Sequence, residues 1–400
     1  MNTDFEVAIV GGSLSGAALG LALAKRGIRV LILERDSMFR DRVRGEGMHP
    51  WGAAEAQALS ILELLTDGCG QEVPYWTRHN PASTPVRRDL PATTPGKRGC
   101  VTFYHPAMQE RLLRAASEAG AVVWRPSLVV RVAPGQRPEL TVQIGGREQS
   151  LQVHLAVGAD GRNSRMRVWG GFRVQKDPDL LRISGVLHAD LDLDESSVHS
   201  LEEPVSGRKV LIFPIGGRSF RSYFVSRATD GAPLSGERHA QTFLDACLAT
   251  GAPPIWLKHA RTVGPLASFN VADQWVEHPY CDGIVLIGDA AAASDPCYGC
   301  GLSLTLRDVR TLRDNIAANP DWCAAAEAYA DEHDRYFGAL HRILSWNRNL
   351  SYASGPVAEA RRTRVRDLLR RDPRRWPDFL GLGPDAPNDE AARRRFFGED

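Results

Sequence analysis

The most constraining feature is the stretch from Glu6 to Glu34, where two short aliphatic runs, Glu6 to Val10 and Arg29 to Leu33, flank an Ala/Leu segment of helical length. Between the first run and the helix stands Gly11-Gly12-Ser13-Leu14-Ser15-Gly16, and Glu34 closes the second run roughly twenty residues on. This spacing predicts a βαβ unit whose glycine-rich turn opens a helix. Gly11 permits the tight turn, Gly16 lets helix and strand pack closely, and the helix N-terminus offers unpaired N–H groups and a positive dipole end to a pyrophosphate. Ser13 occupies the position where a second glycine normally brings backbone near phosphate. Glu34 would accept hydrogen bonds from an adenosine ribose and repel a ribose 2′-phosphate. The tightly held dinucleotide is therefore expected to be FAD or NAD, not NADP.

The uncharged run Val7 to Ala24 has the length of a membrane span, but Gly11, Gly12, Ser13, Ser15 and Gly16 interrupt it. It is read as strand, turn and helix, with no integral span. The mildly acidic Met1 to Glu6 does not resemble a secretory leader. With 49 basic and 48 acidic residues the formal charge is +1, so no global field favours nucleic acid or anionic lipid. Small-molecule partners are expected. Seven scattered cysteines do not form a secreted disulfide framework and suit a reducing cytoplasm. A 43% hydrophobic composition over 400 residues supplies core enough for two domains.

Further along, Pro74 to Gly99 lacks periodicity and reads as loop or edge structure leaving the first domain. Met108 to Ala119 has helical spacing, and Ala121 to Arg125 follows as a strand. Glu139 to Val157 reads as a hairpin about Gly145-Gly146 and leads into Gly158-Ala159-Asp160-Gly161-Arg162-Asn163-Ser164-Arg165. Arg182 to Arg227 alternates as antiparallel strands do, which predicts a separate substrate-side sheet. Ile284 to Ile287 is again a buried strand. It stops at Gly288-Asp289, and a loop through Pro296, Cys297, Gly299, Cys300 and Gly301 opens a helix at Leu302. After Asp321 the chain is mostly helical and increasingly arginine-rich, broken by Pro373, Pro377, Pro384 and Pro387 near the end.

These three ordered segments resemble the FAD-dependent class A monooxygenases, the para-hydroxybenzoate hydroxylase-like family, from the N-terminus to roughly Asn315. The resemblance implies an α/β fold with a Rossmann-like FAD-binding domain of glutathione-reductase type, an antiparallel-sheet substrate domain and a helical C-terminal region. We expect residues 1–73, 98–180 and 262–330 in the first, 74–97 and 181–261 in the second, and 331–400 in the third. By the same resemblance, Gly11 to Gly16, Glu34 and the adjacent Arg35 hold the ADP half of FAD. Asp160 and Gly161 serve FAD and a transient nicotinamide, and Gly288 and Asp289 the ribityl chain. Pro296, Gly299, Cys300, Gly301 and Leu302 would lie beside the isoalloxazine. There the positive end of a helix would stabilise anionic reduced flavin. Arg44, in Arg44-Gly45-Glu46-Gly47-Met48-His49-Pro50-Trp51-Gly52, and Gln109 match further flavin-contacting positions. The Gly-Glu-x-x-x-Pro run also resembles squalene epoxidases and flavin halogenases. Ala292, Cys300, Ser303 and His105 depart from residues frequent in the family.

The reaction implied is reduction of FAD by NADPH or NADH, oxygen addition at flavin C4a, and transfer of one oxygen from the hydroperoxide to a small aromatic or polyketide-like substrate. Hydroxylation or epoxidation would result, by a monomer or homodimer. No second glycine fingerprint follows Gly16, so the nicotinamide would dock briefly. No catalytic acid or base is nominated. His188, Arg221 and Tyr223, on the alternating strands, and Pro296 are candidates for substrate contact. Cys297 and Cys300 have C-x-x-C spacing, but no second cysteine or histidine pair completes a metal site. A reductase or a halogenase on the same fold are the alternative readings, although the Trp-x-Trp-x-Ile-Pro segment of halogenases is absent.

Overall fold

The computed structural model describes residues 5–80, 83–203 and 206–400; residues 1–4 of the mildly acidic Met1 to Glu6 stretch lie outside them. Strand Val7–Val10 pairs in parallel with Val30–Leu33 on one side and Leu155–Gly158 on the other. Val122–Trp124 and Ile284–Leu286 extend the sheet in parallel, and Tyr280–Cys281 adds an antiparallel edge. Both faces are buried, as continuous aliphatic runs require. Val7, Ile9, Val30 and Ile32 enter one core cluster, whereas Ala8, Val10, Leu31 and Leu33 enter another.

Helix Leu14–Ala24 is buried along its whole length, packed against helices His105–Glu118 and Gly301–Ala318 as well as the sheet. Its uncharged composition is thus explained inside the protein, and among the described residues no helix is long and apolar enough to cross a membrane.

Among the described residues the second sheet has eight strands. Its central ladder runs Leu181–Ala189, Ser219–Arg227, Lys209–Gly216 and Ser197–Glu202, all antiparallel. The Pro74 to Gly99 region supplies its edge, a hairpin of Tyr75–Asn80 and Ser83–Asp89. Pro85 sits on the outermost strand, where a missing donor costs no ladder bond.

Two expected boundaries move. Ala267–Val271 pairs antiparallel with Leu181–Gly185, so the chain returns to the first domain later than residue 262. Trp322–Tyr352 is one continuous helix crossing the 330/331 division, because no proline interrupts it before Pro356 and its one glycine, Gly338, is tolerated within the continuing apolar stripe. The Glu139 hairpin forms as expected, but it ends at Gln152, and Leu155 belongs to the parallel sheet.

Candidate active site

The sheet order Ile284–Leu286, Leu155–Gly158, Val7–Val10, Val30–Leu33 places the C-terminal ends of four neighbouring strands together. The loops that follow them therefore converge at one edge, although their sequences lie far apart. They open onto one continuous cavity of about 1490 Å³, which is also walled by the second sheet and by residues 373–382.

At the first loop, Gly11 has φ of +107°, and a Cβ there would lie 2.3 Å from the Ala159 carbonyl oxygen. At Gly16 a Cβ would lie 1.9 Å from the Gly11 oxygen, so the close helix–strand approach excludes any side chain. Ser13, in the usual glycine position, has its hydroxyl held by Gln109 Nε2 at 2.8 Å. This accommodates the departure from the motif. Glu34, 6% exposed, accepts from Gly12 N and Asp36 N at 2.8 Å each, which fixes its carboxylate at the cavity wall.

At the second loop, Asp160 Oδ2 accepts from Arg165 N and Met166 N, while its buried Oδ1 has no protein partner. A buried carboxylate oxygen left unpaired calls for a donor from outside the protein. Asp289, at the third, lines the cavity and makes no side-chain hydrogen bond among the described residues. Arg167 ties the two loops together: buried, it donates to the carbonyls of Asp289 (2.6 Å), Ala290 (2.6 Å) and Arg162 (3.0 Å). Sequence patterning missed it, since nothing local distinguishes it from neighbouring arginines.

Gly288 N donates to Asp308 Oδ2 at 2.7 Å, and Tyr336 OH donates to Oδ1. Burial pushes the Asp308 carboxyl up to about 6. In the loop beyond, Gly299 has φ of +68° and packs on His49, whose Nε2 donates to the Tyr298 carbonyl at 2.8 Å. Burial lowers the His49 pKa, so the ring is neutral, with Nδ1 an acceptor lacking a protein partner. Ser303 accepts from His49 N and faces Gly52, a fit that a larger side chain would break. Cys297 and Cys300 are buried thiols pushed up by desolvation, which removes the thiolate character that redox chemistry needs. Only Cys297 lines the cavity.

Of the remaining expected residues, Leu14, Ser15, Arg35, Arg44, Gly161, Pro296, Gly301 and Leu302 line the cavity. Gly12, Gly16, Gly288 and Cys300 lie behind its wall. The substrate-side candidates divide. Tyr223 lines the cavity and donates to the Arg44 carbonyl at 2.7 Å. His188 does not, because it faces the opposite side of the sheet, bonded to Ser222 and packed on Phe243. Arg221 shares the face of Tyr223 but is fully buried: its Nε donates to Glu46 (2.8 Å) and its Nη2 to Asp41 (2.8 Å) and Glu46 (3.1 Å), while Nη1 is buried without a partner among the described residues. Glu46 also accepts from His105 N, and His105 Nδ1 donates to Gly45 O. This network fixes the Arg44–Gly47 run against the cavity, and Arg221 itself is not among the residues that line it.

Residues 373–382 were expected only as a proline-broken tail. They wall the cavity with Trp376, Pro377, Phe379 and Leu380, pinned by the bidentate Arg88–Asp378 pair at 2.8 and 2.7 Å. Asp177, Asp273 and His341 offer a possible cation cluster. Arg348 bonds both carboxylates there, so its guanidinium fills the position a metal would take.

The profile of a family described as "FAD binding domain" matches residues 4–328. Squalene monooxygenase of Rattus norvegicus is 25% identical over 340 residues, covering 80% of this chain and 56% of the relative, so the chain spans little more than half of that protein. Rifampicin monooxygenase of Streptomyces venezuelae is 26% identical over 369 residues, covering 89% and 74% respectively. Among solved structures, p-nitrophenol 4-monooxygenase PnpA of Pseudomonas putida superposes with a TM-score of 0.79 at 17% identity, over 97% of this chain and 100% of that one. That likeness establishes a shared fold.

Proposed function

This chain belongs to the FAD binding domain family of flavin-dependent monooxygenases, and from that premise we propose a single-component enzyme. NADPH or NADH docks transiently to reduce the flavin, and O₂ supplies the oxygen placed on a small aromatic or polyketide-like substrate. The observation that carries this reading is the single cavity joining the Gly11–Glu34 end, Asp160 and Asp289 to an aromatic wall of Trp76, Phe213 and Tyr223. A cofactor and a substrate can occupy it together.

The residues fit FAD. Glu34 would accept from the adenosine ribose, and the unpaired N–H groups at the start of helix Leu14–Ala24 would receive the pyrophosphate. The unpartnered Asp160 Oδ1 and the open Asp289 carboxylate suit hydroxyl donors along the ribityl chain. Bound FAD would supply the redox and oxygen-transfer chemistry. The protein's part is positional: Gly299 and Gly301 allow close backbone approach, and the Trp76, Phe213 and Phe379 rings orient an apolar substrate and exclude water. All seven cysteines are unpaired, which supports a reducing, cytoplasmic compartment.

Purified FAD-loaded protein, given NADPH or NADH, labelled O₂ and a panel of phenols and aromatic polyketides, tests the reading. The expected result is substrate-stimulated oxygen consumption with label in the product. Nicotinamide-driven turnover without label would identify a reductase instead, and halide-dependent products a halogenase.

A further inference from the structure

The second sheet presents its cavity face in rows set by register. The inner row holds Trp76 and Phe213, and Phe213 packs where a Cβ on Gly47 would sit, beside the Arg44–Gly47 run. The outer row pairs Glu202 with Lys209. Phe213 and Lys209 are four residues apart on one strand, so about 13 Å separates the aromatic end from the outer row.

Lys209 is an unusual residue for that place. Its side chain is 14% exposed, its ammonium lies over the rings of Tyr298 (5.6 Å) and Tyr352 (5.7 Å), and it lines the cavity. Its one ion-pair partner among the described residues is Glu202, at 3.6 Å. Burial alone would lower its pKa, but Glu202 outweighs that effect and the group stays charged. With a single carboxylate at 3.6 Å, the ammonium keeps donor capacity towards the cavity it lines. One row inward on the same face, Arg78 lines the cavity with no ion pair or hydrogen bond among the described residues.

We propose that Lys209, assisted by Arg78, forms a distal subsite for an anionic oxygen group, such as a carboxylate, on an elongated aromatic substrate whose ring end lies against Phe213 and Trp76. This rests on the oxygenase reading for the ring end alone. A single small phenol would fill the inner row and leave Lys209 unmet, whereas a two-ring or longer acid reaches both.

The test is binding of benzoate, biphenyl-4-carboxylate, biphenyl-4-sulfonate and biphenyl-4-carboxamide to the full chain. Tryptophan fluorescence is followed alongside flavin absorbance, so that protein lacking FAD still reports; loss of the flavin signal alone would count against the cofactor reading and not against the subsite. Biphenyl carboxylate or sulfonate is expected to bind on the order of tenfold more tightly than the amide, as one charge-assisted hydrogen bond allows, and more tightly than benzoate. Sulfonate matching carboxylate would mark recognition of charge, and carboxylate exceeding it recognition of the planar group. Lys209→Met should bring acid and amide within about twofold of each other, Lys209→Arg should keep the preference, and Glu202→Gln should strengthen acid binding. Equal binding of acid and amide by the unaltered protein, no acid binding at all, or an acid preference that survives Lys209→Met would overturn the proposal.

Discussion

Arg221 and Tyr223 stand two residues apart on one strand face, yet only the tyrosine offers a surface to the cavity. The difference is Glu46, which with Asp41 holds Nε and Nη2 of the guanidinium behind the cavity wall. Arg221→Ala should therefore destabilise the fold by about 3–5 kcal/mol by stranding a buried carboxylate. Chemical denaturation measures this, and a loss under about 1 kcal/mol would show the pair to be dispensable. Strand alternation puts Arg221 and Tyr223 on one face without telling which face meets the cavity, and the partner of Arg221 lies far away in sequence, where no local pattern names it. Asp308 permits a second test. Its folded pKa of about 6 lies above the ordinary 3.8, so the native state binds this proton more tightly than the unfolded chain. The resulting stabilisation is full below about pH 4 and is lost as pH rises through 6. Asp308→Asn keeps an acceptor for Gly288 N–H, and it should flatten the decline in Tm that the unaltered protein shows between pH 4 and pH 6.5. An unchanged slope would assign that dependence to other groups.

Among the elements, those with strong local signals were legible: the βαβ unit, the helix after Gly301, and the hairpin about Gly145-Gly146, whose strands pair from Glu139 to Gln152. Ala267–Val271 was not, because its membership of the second sheet depends on pairing with a strand more than eighty residues earlier. The wall of residues 373–382 was missed for a related reason. Prolines mark it as irregular, but what docks it over the cavity is tertiary: the Arg88–Asp378 pair, the packing of Phe379 on His49 and Tyr298, and the contact of Gly383 with the Trp51 ring. Asp378→Ala should raise hydrogen exchange across 376–382 while leaving the parallel sheet protected. Unchanged exchange there would mean that the aromatic contacts alone hold the wall.

At the scale of the whole molecule, three segments separated by well over a hundred residues meet because their strands are neighbours in one parallel sheet. Each motif follows an aliphatic strand, so their convergence could be anticipated from the sequence. The size of the cavity and its charged outer row could not, since both depend on how the second sheet faces the first. The most direct test of the assembled site is FAD affinity, measured by flavin fluorescence on the purified chain, compared between Asp289→Ala and Cys297→Ser. Loss of the Asp289 carboxylate should weaken binding on the order of tenfold or more, as removal of a charge-assisted hydrogen bond does, while the serine variant stays within about twofold. Strong loss at Cys297 with FAD binding intact at Asp289 would contradict the arrangement.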